Sequence, residues 1–590
     1  MMISFIHKIP MFCVKPILSN LRFVFFMLLL GSYGILVADQ CIYLPFYIRL
    51  FFELFLDIYL LCLFFICIPK RIRPFLKFIF SFFIYICFIS DFFCLTYLDT
   101  TISPSLIQLL YETNSNEIEN FASSYVEPEL LLSPVGGVLF LGLLHLFSLG
   151  VHLNVRRHQY SLGILACFLL TVGMISSIRN KNYLFILFSA ESVDDVECRL
   201  AHDNWVSRSL YTPVHRLFFS CYVNMLSMRQ LDRLAEIYDE IHISKCQPLT
   251  KNVVLIIGES YNKHHSQLYG YQHETTPRQV IRAKQSDLYV FKDAVTPFNL
   301  TSDVFKNMFS TNDLSKHQSW TDYPLFTQVF HKAGYNVTFI TNQYVKGQGN
   351  EFFDFSGGMF LNNAKIELTQ FNHRNRYQYS DDIRLLQELD SIRRYEKENN
   401  LTIIHLMGQH FYYRNRFPYD AAVFSLSDYS RNDISEKEKQ IIADYDNATR
   451  YNDYVVDEII KRYERENAIV IYLADHGEEC YDGLKVSGRV HSPMLSPLVV
   501  RNEFQIPLWI WCSKDFRENN KVIVSNISKA VQKPFFSDDL PHMLLSIGGI
   551  ECNYYHSEND ILNPNYKIGK KRLLRGVHDY SLIMRKRSIN

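Results

Sequence analysis

KNVVLIIGESYNKHHSQLYGY, residues Lys251–Tyr271, opens with the apolar run Val253–Ile257, stops at Gly258 and passes at once into Glu259 and Ser260. A short apolar run closed by glycine reads as a buried strand. A carboxylate directly after it stands at the C-terminal edge of a sheet, where open α/β sheets bind their ligands. Val337–Ile340, Leu401–Leu406, Ala468–Leu473 and Pro507–Trp511 are further strand candidates, and helical patterns at Asp322–Ala333, Asp381–Glu398 and Ser435–Arg465 lie between several of them. That alternation predicts an α/β domain with a largely parallel central sheet.

Two of these strands also run into metal-ligand residue types. Ala468–Leu473 is followed by Ala474, Asp475 and His476, and Leu401–Leu406, which includes His405, is followed by Met407, Gly408, Gln409 and His410. His491 comes a short loop later. A lone histidine is more often structural. Carboxylates and imidazoles from several strand ends are what a borderline divalent cation such as Zn²⁺ requires, so Glu259, Asp475, His476, His410 and His491 form the candidate set. A hydroxyl on such a cation loses its proton more easily and becomes a nucleophile. The segment Asp293–Ser310 offers Thr296, Thr301, Ser302 and Ser310. The residue types alone choose neither among these nor against Ser260.

The first third of the chain is different. Hydrophobic residues make up 48% of the 590, but they crowd into Phe23–Ala38, Tyr43–Ile68, Pro74–Tyr97, Leu130–Leu153 and Tyr160–Ile178. Each is long enough, or nearly so, to cross a hydrocarbon layer of ~30 Å as a helix. Lys8, Lys15 and Arg22, then Lys70, Arg71, Arg73 and Lys77, then Arg156, Arg157 and His158 fall on one side, which the positive-inside rule makes cytoplasmic. Five spans with a cytoplasmic N-terminus place everything after Ile178 outside, in the periplasm of a two-membrane bacterium. Arg49, Glu53 and Asp57 share a helical face inside the second span. Charges there usually face protein or water, although Arg49 is more simply placed at the outer interface. The loop 99–129 contains the amphipathic pattern Ser105–Tyr125, whose Glu112 and Asn114 are candidates for shaping a pocket where a lipid headgroup enters. Pro213–Leu234 has a helical period and reads as a membrane-surface linker. The organisation expected is a transmembrane domain at 1–178, a bridge at 179–245 and an α/β domain at 246–590. Lys+Arg and Asp+Glu both number 60, so no basic bias points to nucleic acid.

The motifs GESYNKHHSQLYGYQHETTPR (Gly258–Arg278), TSDVFKNMFS (Thr301–Ser310), ITNQ (Ile340–Gln343), HLMGQHFYYRNRFP (His405–Pro418) and ADHGE (Ala474–Glu478), together with the five spans, resemble the bacterial phosphoethanolamine transferases of the alkaline-phosphatase/sulfatase superfamily. The resemblance implies a five-helix membrane domain followed by a sulfatase-like domain. It implies one principal zinc on Glu259, Thr301, Asp475 and His476, in preference to Mn²⁺ or Mg²⁺, with Thr301 as nucleophile. It places His410 and His491 beside the phosphoryl group, where a second zinc or transition-state stabilisation are the alternatives, and Asn342 and Gln343 near the substrate pocket. His265 fits the histidine of the first motif. The implied donor is phosphatidylethanolamine and the implied acceptor is lipopolysaccharide, at core heptose or lipid A, with a monomeric enzyme in the inner membrane. Asn262 departs from an arginine common at its position, and Pro297 and Asn307 stand near where lipid A-modifying members often carry a cysteine pair. The 13 cysteines show no CxxC pair, so no disulfide framework is legible. The alternatives are a phosphoglycerol transferase of the lipoteichoic acid synthase type and phosphoethanolamine transfer to another periplasmic glycan.

Overall fold

The structure is a computed structural model that describes residues 9–38, 44–97, 101–104, 106–107, 128–148, 158–190, 192–201, 210–316, 318–345, 356–489 and 494–585. The chain divides into two compact units, residues 1–226 with 350–353, and residues 227–349 with 354–590.

The first unit is helical. Helices α1 (Ile9–Ser19) and α2 (Leu21–Ala38) meet at a bend of 79°. At the bend Asn20 Nδ2 donates to Pro16 O and to Cys62 O, across 2.8 and 3.3 Å. Helices α3 (Leu44–Cys67), α4 (Arg73–Tyr97), α5 (Pro134–Phe147) and α6 (Gln159–Asn180) follow. By length and composition α3, α4 and α6 each suffice to cross a membrane, and α1 with α2 does so as a pair. The fourth expected span is shorter than its apolar run, because α5 has 14 residues. Ser133 Oγ caps the amide of Val135, and Pro134 has no amide with which to continue a helix from Leu130; residues 149–153 lie outside those described. Intramembrane charge is paired, as its cost requires. Arg49 Nε donates to Ser176 Oγ at 2.9 Å, Ser176 donates to the buried Glu53, and Asp57 accepts from Lys181 and Tyr211. These contacts tie α3 to the end of α6. Helix α7 (Pro213–Ile237) starts with Arg216 forked onto Asp91 of α4, both buried.

The second unit is built on a seven-stranded sheet. In chain order its strands are β1 (Asn252–Gly258), β2 (Leu288–Val290), β3 (Asn336–Thr341), β4 (His373–Arg374), β5 (Asn400–His405), β6 (Ala468–Ala474) and β7 (Leu508–Cys512). Their spatial order is β2-β7-β6-β1-β5-β3-β4. The run from β6 to β4 is parallel, and β7 is antiparallel to both of its neighbours. Every residue of β1, β3, β5 and β6 is buried. A strand buried on both faces reads as a continuous apolar run, which is why these four were legible and the two- and three-residue edge strands β4 and β2 were not. Between strands, Ser435 and Glu438 form a reciprocal cap that starts α9 (Glu436–Lys461), and α8 (Thr301–Phe309) is buried along its whole length.

Candidate active site and metal centre

Register builds the site. Gly258 pairs with Ala474, and Ile257 pairs with both Leu473 and His405. Strands β1, β5 and β6 therefore end level, and the next residues, Glu259 and Asp475, emerge side by side. Asp475 N donates to Gly258 O at 2.9 Å and Tyr261 N to His476 O at 2.8 Å, locking the two strand exits together. Ligand atoms of Glu259, Asp475 and His476 lie within 4.8 Å of one another, all buried, and among the described residues no other group of three metal-ligating side chains lies this close.

Each of these groups is oriented by the backbone around it. His476 Nδ1 donates to Gly477 O at 2.8 Å, which leaves the lone pair on Nε2. Burial pushes the imidazole down to about 3, so it is a neutral ligand at neutral pH. Asp475 Oδ1 accepts from the amides of Ser260 at 3.0 Å and His476 at 2.6 Å, while the buried Oδ2 has no hydrogen-bond partner among the described residues. Ser260 holds the left-handed backbone, φ 56°, that turns Glu259 into the site. Its hydroxyl donates to Glu259 Oε1 at 2.7 Å and its carbonyl accepts from Tyr445 Oη at 2.7 Å, a positioning arrangement.

The electrostatics call for a cation. Burial would raise Glu259, but the His405 contact and the fields of His476, His410 and Arg489 hold it well below the carboxylate range. Asp475 goes the other way, driven well above its usual value by burial and by the Glu259 charge beside it. Two buried carboxylates this close do not both ionise unless a positive charge is added between them. The Asp475 Oδ2, the unprotonated Nε2 of His476 and the Glu259 carboxylate therefore fit a divalent metal of borderline character.

Thr301 joins them as the first residue of α8 and is fully buried. Its Oγ1 stands 3.1 Å from Glu259 Oε2 and 3.3 Å from His476 Nε2. One hydroxyl proton faces two acceptors. The start of α8 also points amide donors at this place, an arrangement that suits a phosphoryl anion. Among the other hydroxyls, Ser302 pairs with Tyr344 Oη at 3.2 Å and Thr296 with Ser537 at 3.3 Å, while Ser310 donates to Trp320 O at 2.8 Å.

His410 lies half-buried on the turn after β5. That turn hangs from Asp382, whose carboxylate accepts from the amides of Met407 and Gly408, both at 2.9 Å. Asn342 is committed to the same carboxylate at 2.9 Å and accepts from Tyr379 N at 2.7 Å, so its amide braces the turn. Gln343 is half-buried beside it. Glu112, Asn114 and His491 fall outside the described residues. His265 is clamped between Asp446 at 2.6 Å and Asp482 at 2.8 Å. Asn262 donates to Glu478 O and Asp482. Asp538 and Asp539 meet Lys570 at 3.4 and 2.7 Å, and Asp313 meets it at 3.2 Å, a buried group in which the lysine pairs the carboxylates. Cys221, Cys246, Cys480, Cys512 and Cys552 are free thiols.

Two neighbours were not anticipated. His405 Nε2 faces Glu259 Oε2 at 3.8 Å, and Arg489 Nη1 lies 3.3 Å from His476 Nε2. The parallel register of β1 and β5 is what brings His405 there, and no spacing rule within one strand carries that information.

A family model described as Sulfatase matches residues 251–550. The phosphoethanolamine transferase EptC of Escherichia coli K12 is 25% identical over 474 residues, covering 79% of this chain and 78% of that protein. The Kdo(2)-lipid A phosphoethanolamine 7''-transferase of the same strain is 28% identical over 272 residues, 45% of each chain. Among solved structures, the integral membrane lipooligosaccharide phosphoethanolamine transferase A of Neisseria meningitidis covers 92% of this chain and 98% of its own, at 16% identity and a TM-score of 0.48.

Proposed function

The chain belongs to the sulfatase family, and on that premise we propose that it transfers phosphoethanolamine from phosphatidylethanolamine to a lipopolysaccharide acceptor, at core heptose or lipid A. The names of relatives that match 79% and 45% of this chain support the transferred group, and one of them names lipid A as acceptor. The observation that carries the reading is the placement of Thr301 Oγ1 between Glu259 and His476 at the start of a buried helix.

Glu259, Thr301, Asp475 and His476 would hold the cation, which we take to be zinc; when bound it lowers the proton affinity of the threonine hydroxyl and offsets phosphoryl charge. Thr301 Oγ forms the new bond to phosphorus as the bond from phosphorus to the glycerol oxygen breaks. Diacylglycerol leaves with the proton that Thr301 gave up, relayed in this reading by His410 or His491, and phosphoethanolamine remains as a diester on Thr301. An acceptor O–H then attacks phosphorus, the bond to Thr301 breaks, and the acceptor's proton passes to the Thr301 oxygen. The start of α8 and Arg489 hold the phosphoryl oxygens during both steps, and the buried walls of the site keep water from intercepting the diester. Both substrates are lipids, which accounts for the apolar helices. The unit made of residues 1–226 would sit in the inner membrane with its N-terminus cytoplasmic and the catalytic unit periplasmic, as a monomer.

The test uses the purified full-length chain with fluorescent phosphatidylethanolamine and, separately, phosphatidylglycerol. The expected result is diacylglycerol release from the first lipid and a phosphoethanolamine adduct on the Thr301 peptide, with both lost, by ~10³-fold or more, in Thr301→Ala. Full transfer by Thr301→Ala would refute the assignment. Phosphoglycerol on the peptide would identify the other donor.

A further inference from the structure

We infer that the helical unit carries a binding site for one anionic diacyl phospholipid, at the end where α2 and α4 begin and far along the chain from the catalytic residues. A cavity of about 1680 Å³ lies among α2, α4 and α5. That exceeds the ~300–1,000 Å³ of ordinary small-molecule pockets. It runs along α4 from Arg73 to Ile89, about 24 Å at 1.5 Å per residue, enough for a headgroup and the acyl chains of one leaflet in a hydrocarbon layer ~30 Å thick.

Its two ends differ in chemistry. Arg22, Lys70, Arg73 and Lys77 line the mouth, and no carboxylate is among the described lining residues. Beyond them the walls are Phe23, Phe26, Phe78, Phe82, Leu139 and Leu143. Ser81 also lines the cavity, one helical turn past Lys77, at the depth of a glycerol ester. Two of the mouth cations, Arg73 and Lys77, are only partly used by the described residues. Arg73 Nη2 donates to Ile66 O and Ile68 O at 3.0 Å each, closing the end of α3, but its buried Nε has no hydrogen-bond partner among the described residues. Lys77 reaches one exposed carbonyl, Ser19 O, at 3.2 Å. One unsatisfied buried donor beside a fourfold positive mouth and an apolar shaft matches a phosphate with two acyl chains and no compensating cation on its headgroup. Charges that serve only to orient the helices would need neither the cavity nor the absence of carboxylates. By the positive-inside rule this end faces the cytoplasm, so the lipid would come from the cytoplasmic leaflet and not from the donor pool facing the catalytic unit.

Native mass spectrometry of the full chain, released from detergent after incubation with equimolar dioleoyl phosphatidylglycerol and dioleoyl phosphatidylcholine, tests this. One phosphatidylglycerol per chain is expected, retained at least tenfold over phosphatidylcholine. Lys70→Gln combined with Lys77→Gln is expected to weaken that retention about thirtyfold, the effect of two cations near a lipid surface. Gly142→Leu is expected to expel both lipids, because a Cβ at Gly142 sits 3.6 Å from the Tyr85 ring and the larger side chain continues into the cavity. Equal retention of the two lipids by the unmodified chain would overturn the proposal without recourse to any variant. So would an undiminished preference in the double lysine variant, or a preference for phosphatidylethanolamine over phosphatidylglycerol.

Discussion

Replacing Asp475 with asparagine is expected to stabilise the cation-free protein while abolishing its response to zinc. Asp475 and Glu259 are both fully buried, with ligand atoms no more than 4.8 Å apart. Two unit negative charges at that separation repel by about 3.5 kcal/mol at an effective dielectric constant near 20. Without a cation the pair therefore keeps one proton, carried by Asp475, whose acidity is suppressed by burial and by Glu259. The sign follows from linkage. A carboxyl with a raised folded-state pKa contributes stability that is complete below its unfolded value of ~3.9 and is lost as pH rises through its folded value. Asparagine reproduces the protonated form. Its Oδ1 keeps both amide donors, from Ser260 and His476, and its Nδ2 occupies the place of the unpartnered Oδ2, where it can donate to Glu259. The variant escapes the loss at high pH. In chelator at pH 8 it should exceed the parent by about 2–3 kcal/mol, and at pH 5 by much less. Zinc at a hundredfold its dissociation constant should add about 2.7 kcal/mol to the parent and almost nothing to the variant. Urea unfolding in detergent, followed by fluorescence of Trp509 and Trp511 on β7 beside β6, reads both quantities. A variant less stable than the parent in chelator at pH 8 would refute the shared-proton account, and an unchanged zinc response would refute the metal site.

Other consequences are equally direct. Gly408 has φ +49°, and a Cβ there would lie 3.0 Å from both Glu259 N and O; Gly408→Ala should cost about 1–2 kcal/mol for the left-handed backbone alone and should weaken zinc binding, measured by calorimetric titration, by displacing Glu259. His265 is held protonated by Asp482 and Asp446 against the opposing effect of burial, its pKa raised to about 10. Its contribution is complete below pH ~6.5 and is lost as pH rises through 10, so stability should decline across that window by on the order of 3–5 kcal/mol, and His265→Gln should flatten the profile. Lys570→Met leaves Asp313, Asp538 and Asp539 without their shared cation and should cost about 3–5 kcal/mol in urea unfolding at pH 7.

The positions of the principal strands and the longer helices were legible because burial dictates composition. Val253–Ile257 and Ala468–Leu473 are apolar at every position, as strands covered on both faces must be. The fourth span was read too long because its apolar run continues through Ser133–Pro134, a helix start that hydropathy does not register. The buried group around Lys570 has no local signature, because only the fold brings Asp313, Asp538 and Asp539 to it from separate parts of the chain.

The same division runs through the site. The amino-acid sequence by itself determined that Glu259, Asp475 and His476 follow strands, because a run of apolar residues and its end are local properties. It left Ser260, Thr296, Thr301, Ser302 and Ser310 open as nucleophiles. Tertiary structure gives Thr296, Ser302 and Ser310 partners elsewhere, ties the Ser260 hydroxyl to Glu259 alone, and places Thr301 between Glu259 and His476. It alone decided that Gly258 pairs with Ala474, so that two strand ends more than two hundred residues apart finish level. Register between strands depends on the packing of the whole sheet, and two carboxylates acquire their need for a cation only once that register has buried them together.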